Sequence, residues 1–67
     1  MRIHFDEKTD ALYLRLDEAS RVLESEEVSP GVILDFDERD EVVGIEILRV
    51  RERFPKGNFK QIELDLS

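Results

Sequence analysis

Apolar and polar side chains alternate along several short segments of this 67-residue chain. The alternation is clearest over residues 32–36 and 43–47, which flank the acidic segment 37–41, and it recurs over residues 2–5 and 12–16. A period of two residues is typical of a strand with one buried and one solvated face. The pattern therefore predicts antiparallel strands joined into hairpins by polar turns.

Two further segments complete the predicted sheet. Residues 22–28 are rich in glutamate, and we expect them to form an edge strand, because charged side chains at an edge oppose aggregation. Residues 59–66 alternate again and are predicted to form a last strand, either packed on this core or donated to a neighbour. Apolar spacings of three and four predict a short amphipathic helix near residues 47–54. The predicted fold is α+β, a small antiparallel sheet of about five to six short strands with one helix.

Composition bounds the class of protein. With 40% apolar residues the chain is too apolar for a disordered protein, and no apolar run is long enough to span a bilayer. We therefore expect a single cytoplasmic domain, residues 1–67, that does not contact membranes. Cysteine is absent, which excludes disulfides and thiolate chemistry. Because a core of this size supplies only about 3–5 kcal/mol, we expect the chain to form a homo-oligomer, with a dimer favoured.

The charge of the chain is segregated along the sequence. The net charge is −7. Residues 1–48 hold five basic and fourteen acidic side chains, whereas residues 49–61 hold five basic side chains and one acidic one. Such a dipolar surface suits association with itself or with a basic protein partner. The side chains predicted to take part in interactions are Tyr13, Glu24, Glu26, Glu27, Arg49, Arg51 and Arg53. Tyr13 is either an exposed interface anchor or a residue packed under the helix.

Metal, nucleic-acid and catalytic sites are all disfavoured. Asp35, Asp37 and Asp40 are weak candidates for a divalent-cation site, but Arg39 and Asp40 stand where an EF-hand loop needs an oxygen ligand and a glycine. The arginine-rich segment could contact nucleic acid, yet binders of nucleic acid usually have a basic domain. His4 is the single histidine and has no recognisable nucleophile or acid-base partner. We therefore expect a protein that is not an enzyme and needs no cofactor.

Three segments together are similar to a known family. The opening residues 3–16, with Asp10-Ala11-Leu12-Tyr13 inside them, the stretch 24–37 with Pro30-Gly31, and residues 42–48 resemble the domain-of-unknown-function family numbered 2283. The resemblance covers about residues 2–53, and residues 54–67 lie beyond it as a C-terminal strand extension. It implies a small prokaryotic protein with no assigned activity, whose relatives are sometimes encoded beside small putative toxins. No catalytic residue can be transferred from such a family.

These observations favour a protein-interaction module without enzymatic activity that self-associates, with an antitoxin-like role as one form of such a module. The alternative is a domain that binds a small ligand or a divalent metal through the acidic hairpin turn or through a pocket at a dimer seam. The sequence does not distinguish the ligand, the partner or the oligomer size. It also leaves open whether residues 59–66 pack within their own chain or are exchanged between chains.

Overall fold

The computed structural model describes all 67 residues and contains one sheet and one short helix. The strands pair antiparallel in the order β1-β2-β5-β4-β3, which confirms the predicted fold class. Strand β5 is therefore the centre of the sheet, and β1 and β3 are its edges. The elements are β1 (Arg2–Asp6), β2 (Ala11–Arg15), β3 (Glu24–Ser29), β4 (Val32–Phe36), β5 (Val42–Ile47) and α1 (Val50–Arg53).

The polar turns form because aspartate carboxylates accept hydrogen bonds from nearby backbone amides. Asp6 accepts the N–H groups of Lys8 and Thr9 between β1 and β2, at 3.0 and 3.3 Å. Asp37 does the same for Arg39 and Glu41 between β4 and β5, at 2.9 and 3.0 Å. Such local bonds are what favour aspartate in turns. They fix where each strand ends and thereby set the register of the hairpins.

The register sorts the side chains onto two faces of the sheet. One row crosses all five strands as Ile3, Leu14, Ile45, Leu34 and Glu26. A second row on the same side consists of Phe5, Leu12, Ile47, Val32 and Ser29. We call the eight apolar residues of these two rows the apolar face. The other side, which we call the polar face, is crossed by the rows His4, Tyr13, Glu46, Ile33, Glu27 and Arg2, Arg15, Gly44, Asp35, Ser25.

The helix is shorter than the predicted range of residues 47–54. It spans four residues, Val50–Arg53. Ile47 belongs instead to β5, where it pairs with Leu12 and Val32, and Phe54 follows the helix with 55% of its surface exposed. Pairing on both sides of the central strand stabilises the extended form of Ile47 more than one further helical residue would. The helix is also far too short to cross a membrane.

The edge strand predicted within residues 22–28 is confirmed as β3, whereas the strand predicted over residues 59–66 is absent from the single chain. Residues 61–67 have no regular secondary structure. The side chains of Ile62, Leu64 and Leu66 are 62%, 80% and 81% exposed. A strand forms only when a neighbouring strand satisfies its backbone groups, and this segment pairs with neither edge of the sheet. Donation of the segment to a neighbouring chain stays a prediction.

Candidate interaction surface

The apolar face is the largest continuous set of apolar side chains in the molecule. Seven of its eight members are half-buried, and Ile3 is 41% exposed. The buried apolar side chains of the whole chain are Val43 and Val50. A sheet normally buries its apolar side against a second layer of structure. Here the chain supplies no second sheet and only four helical residues to cover that side.

One corner of the apolar face is covered by the segment that follows the helix. The ring of Phe59 lies on the ring of Phe5, with the centroids 5.4 Å apart. The guanidinium of Arg51 lies 5.8 Å from the centroid of the same ring. Lys60 continues this cover with an ion pair to Glu7 at 3.8 Å. The cover lies on β1, at the edge of the sheet opposite β3.

The molecule exposes more surface than a compact protein of its mass. Its accessible surface is 5525 Å², compared with about 4,400 Å² expected for a folded monomer of this mass. Its radius of gyration is 12.8 Å, compared with about 11 Å expected for this length. The extended residues 61–67, which are all exposed, contribute to this excess.

The polar face contains a network of side-chain hydrogen bonds that crosses the sheet. Tyr13 on β2 donates its hydroxyl to Asp35 on β4 at 2.7 Å. Ser25 on β3 donates to the other oxygen of the same carboxylate at 2.6 Å, and Arg15 donates to the Tyr13 hydroxyl at 3.4 Å. Since β5 lies between β2 and β4, the first of these bonds passes over the backbone of Gly44. The network joins side chains of three strands, β2, β3 and β4, across the central strand β5.

Gly44 leaves the room that this network needs. A Cβ atom built on Gly44 would lie 2.6 Å from the Tyr13 hydroxyl oxygen and 2.8 Å from Oδ2 of Asp35. Real Cβ atoms do not approach other atoms so closely. An isolated glycine inside a strand pattern is a known sign of close approach, and this was the signal in the sequence. The roles of Ser25 and Arg15 had no such signal, because their partners are distant in sequence.

The structure places Tyr13 in neither of the two environments that the sequence analysis considered for it. It is half-buried on the polar face, bonded to Asp35, and therefore is neither an exposed anchor nor packed under the helix. The alternation of β2 explains this outcome, because residues between the leucines must point away from the apolar face. Tyr13 contributes to the cohesion of the sheet.

The three predicted glutamates all lie on the exposed edge strand β3. Glu24 pairs with Phe36 and Glu26 with Leu34, so both border the apolar face. Neither has an ion-pair partner within 4.0 Å. Glu27 points to the polar side and accepts the backbone N–H of Gly31 at 2.9 Å. Glu24 and Glu26 are thus the carboxylates free to meet a partner.

The three predicted arginines lie together at one end of the sheet, where two of them hold the fold together. Arg51 donates to the Asp10 carboxylate at 2.8 Å and to the backbone carbonyl of Glu7. Arg53 donates to the carbonyls of Leu48 and Pro30. These internal bonds use the donors that a nucleic-acid phosphate would need, which further disfavours a nucleic-acid interface.

Asp10 is the acceptor that fixes the helix against the first hairpin. Its carboxylate accepts the backbone N–H of Arg51 at 3.1 and 3.2 Å as well as the guanidinium, and its carbonyl accepts the N–H of Val50 at 3.0 Å. Partial burial of the Asp10 carboxylate raises its pKa. The hydrogen bonds and the positive charge of Arg51 outweigh this effect and hold the pKa of Asp10 below its ordinary value.

Two loop aspartates have lowered pKa values for the same physical reason. The backbone N–H of Thr9 is the main cause that holds the pKa of Asp6 below its ordinary value. The hydroxyl of Ser20, which donates to Asp17 at 2.6 Å, is the main cause that lowers the pKa of Asp17. In both loops the charged carboxylate accepts these hydrogen bonds more strongly than the protonated acid would, and the bonds therefore favour the charged form. These aspartates are part of the architecture of the turns.

The three aspartates considered for a cation do not converge on one point. Asp35 is bonded to Tyr13 and Ser25 on the polar face, whereas Asp37 accepts amides of its own turn. The N–H of Glu41, more than any other group, holds the pKa of Asp37 below its ordinary value, although burial of the carboxylate opposes this. Asp40 is an exposed residue with a φ of 63°. No three histidine, aspartate or glutamate side chains are arranged to hold a metal ion.

Comparison with known proteins gives a family but no activity. The model of a family described as a protein of unknown function (DUF2283) matches residues 2–51 of the chain. This range contains the complete sheet and the first two residues of α1, and it ends before the segment that covers Phe5. Searches of curated proteins and of solved structures gave no match.

Proposed function

We propose a function from the surface of this chain itself, because the chain belongs to DUF2283, a family of proteins of unknown function. The protein is an interaction module without enzymatic activity, and it self-associates through its apolar face. Two sheets that meet in this way form a sandwich, which is the common solution for a sheet with one apolar side.

The observation that carries this proposal is the incomplete cover of the apolar face. None of its eight large apolar side chains is fully buried, although Val43, which follows the same alternation on β5 beside these rows, is buried. Each 100 Å² of apolar surface removed from water stabilises by about 2.5 kcal/mol. A standard interface takes about 600–1,000 Å² from each partner.

Adjacent residues on β4 provide a matched test. Leu34 points to the apolar face and Ile33 to the polar face, and both are half-buried. We expect Leu34→Lys to be monomeric in sedimentation equilibrium, because a charge in the interface would be desolvated without a partner. Ile33→Lys should sediment like the unchanged dimer. Circular dichroism of both variants checks that the sheet is retained.

A monomeric wild-type protein at all concentrations would contradict the proposal. So would equal effects of the two lysine variants on the sedimenting mass, because the interface would then lie elsewhere than on the apolar face.

A second function is favoured by the β3 edge. This strand has unpaired backbone groups on its outer side and carries Glu24 and Glu26 without ion-pair partners. An edge of this kind suits a basic protein, as an antitoxin-like role requires. Affinity purification from the native host would compare the wild type with Glu24→Gln/Glu26→Gln. Glu38→Gln/Glu41→Gln, in the exposed turn after β4, is the control with the same loss of charge.

In that experiment a basic protein recovered with the wild type and the control, but lost from the β3 variant, is the expected result. Equal recovery by all three proteins would show that the β3 edge is not the binding site.

A further inference from the structure

We propose that the second copy covers the apolar face with its own apolar face, turned about a two-fold axis that runs parallel to β5. Each β1 edge then lies over the β3 edge of the other copy. The inference rests on the proposed self-association and adds the arrangement of the two sheets. Three features of the sheet lead to it: the strand order, the shape of the apolar face and its charge.

The strand order makes this arrangement possible. The proposed axis lies between the two sheets and runs parallel to β5. Because β5 is the third of five strands, rotation about this axis places β1 of one copy over β3 of the other, and β2 over β4. Leu12 and Leu14 on β2 then meet Val32 and Leu34 on β4 of the second copy. The side chain of Ile45 points towards the axis and meets Ile45 of the second copy. The six apolar positions on β2, β5 and β4 thus meet apolar partners near the centre of the interface, while Ile3 and Phe5 on β1 lie over Glu26 and Ser29 at its edges.

The shape of the apolar face favours the same arrangement. On the β1 side, Phe59 and Arg51 stand above Phe5 and form a raised corner. The row that contains Phe5 ends on β3 at Ser29, which has a small side chain. A rotation about β5 places the raised corner over the low end of that row. A two-fold axis across the strands, between the two rows, would place like edges over each other and put the raised corner over Ile3, which has a larger side chain than Ser29.

The charge of the edges favours the same choice. Glu24 and Glu26 border the apolar face on β3 and have no cationic partner in their own chain. If β3 lay along β3, the four carboxylates would share one edge of the interface, with the two sheets about 10 Å apart. Like charges close together at an interface are destabilising. With β3 over β1, Glu26 faces Ile3, and the carboxylates of the two copies lie at opposite edges of the interface.

Cysteine cross-linking distinguishes the two arrangements. Because the chain has no native cysteine, the reagent reacts only with the cysteines that are introduced. Ile3 and Glu26 are the ends of one row. The edge strands of one sheet lie about 19 Å apart, so a bismaleimide that reaches about 10 Å does not join the two positions within a chain. The experiment treats the Ile3→Cys/Glu26→Cys double variant and each single variant with this reagent, after sedimentation has measured their mass.

We expect the double variant to shift to twice the monomer mass on a denaturing gel, while each single variant stays mainly at the monomer mass. Efficient cross-linking of Glu26→Cys alone would overturn the axis, because like edges would then be superposed. A dimer that none of the variants cross-links would overturn it as well. Variants and wild type that all sediment as monomers would overturn the proposed self-association itself, which separates failure of the function from failure of the arrangement.

Discussion

Gly44 shows how one small residue permits a contact between strands that are not neighbours. Tyr13 reaches from β2 over the central strand to Asp35 on β4, a bond of 2.7 Å. Any side chain at position 44 would stand in the path of that bond, because a Cβ would lie 2.6 Å from the tyrosine oxygen. The glycine is therefore required by packing on the polar face, and its backbone is ordinary strand backbone.

We predict that Gly44→Ala lowers the free energy of unfolding by about 1–3 kcal/mol, because the added methyl group forces the network to shift. Urea unfolding at fixed protomer concentration measures the change. In a Tyr13→Phe background the same substitution should cost less, since the closest oxygen is gone. Strict additivity of the two changes in a double-mutant cycle would contradict the explanation.

The four aspartates with lowered pKa values predict how stability depends on pH. Asp6, Asp10, Asp17 and Asp37 all titrate below their ordinary value of 3.8 in the folded protein. Their contribution to stability is therefore fully present above about pH 4 and is lost as the pH falls through the folded values. We expect the free energy of unfolding to be nearly constant between pH 7 and pH 5 and to decrease towards pH 3.

The variant Asp37→Asn tests the cause of that decrease. It removes one titrating group and weakens the turn, so the variant should be less stable at pH 7 and lose less stability between pH 5 and pH 3. Chemical unfolding at each pH gives both values. An unchanged loss in the variant would assign the pH dependence to other groups.

Sequence reasoning at this scale succeeded where a residue acts on its near neighbours. The aspartate turns follow from bonds that span two to four residues, and an isolated glycine within a strand pattern, as at Gly44, is a sign of close approach. The position of Tyr13 was left open because its partner is 22 residues away. Its direction, however, follows from the alternation of β2 once the leucines are assigned to the apolar face.

Among the elements, α1 depends on contacts with the first hairpin more than on its own length. A helix of four residues is not stable alone. Asp10 ties it to the hairpin by accepting both the backbone N–H and the guanidinium of Arg51. Asp10→Ala is therefore expected to speed amide hydrogen exchange at Arg53 and Phe54, whose N–H groups close the helix. Arg39→Ala, which removes an exposed side chain from a distant turn, is the control, and equal exchange in both variants would contradict this role.

The tail gives a second prediction at the scale of elements. Residues 62–67 form no strand. We therefore expect a chain that ends at Gln61 to have a free energy of unfolding within about 0.5 kcal/mol of that of the full chain, measured at equal concentration. The measurement is urea unfolding, with sedimentation of the shortened protein beside it. A shortened chain that becomes monomeric or unfolds would instead support donation of residues 59–66 to a neighbouring copy.

The strands were more predictable than the segments after them for a physical reason. A period of two residues that repeats in paired segments specifies both the strand and its partner, and this holds for β1, β2, β4 and β5. After Ile47 the same apolar residues fit a helix or a strand, and tertiary pairing decides between them. The alternation of residues 59–66 satisfies the pattern of a strand but says nothing about which edge would receive it.

At the scale of the whole molecule, the sheet has one apolar side, and residues 48–67 leave most of that side uncovered. Residues 48–67 supply a single helical turn and a cover for one corner around Phe5. The apolar area left in water therefore opposes a stable monomer, and the proposed association would remove that area from water. The small size of the chain pointed to association from composition, but the surface involved became definable only with the register of the five strands.

Coupling between association and folding gives the prediction for the whole molecule. If the dimer forms through the apolar face, each tenfold increase in protomer concentration should stabilise the folded state by about 1.4 kcal per mole of dimer. The Tm of the wild type in calorimetry is then expected to rise with concentration over two to three decades. The Tm of the monomeric Leu34→Lys variant should stay constant, because its unfolding involves one chain. A wild-type Tm that is independent of concentration would mean that the half-covered sheet is stable by itself, and it would remove the physical basis for the interface.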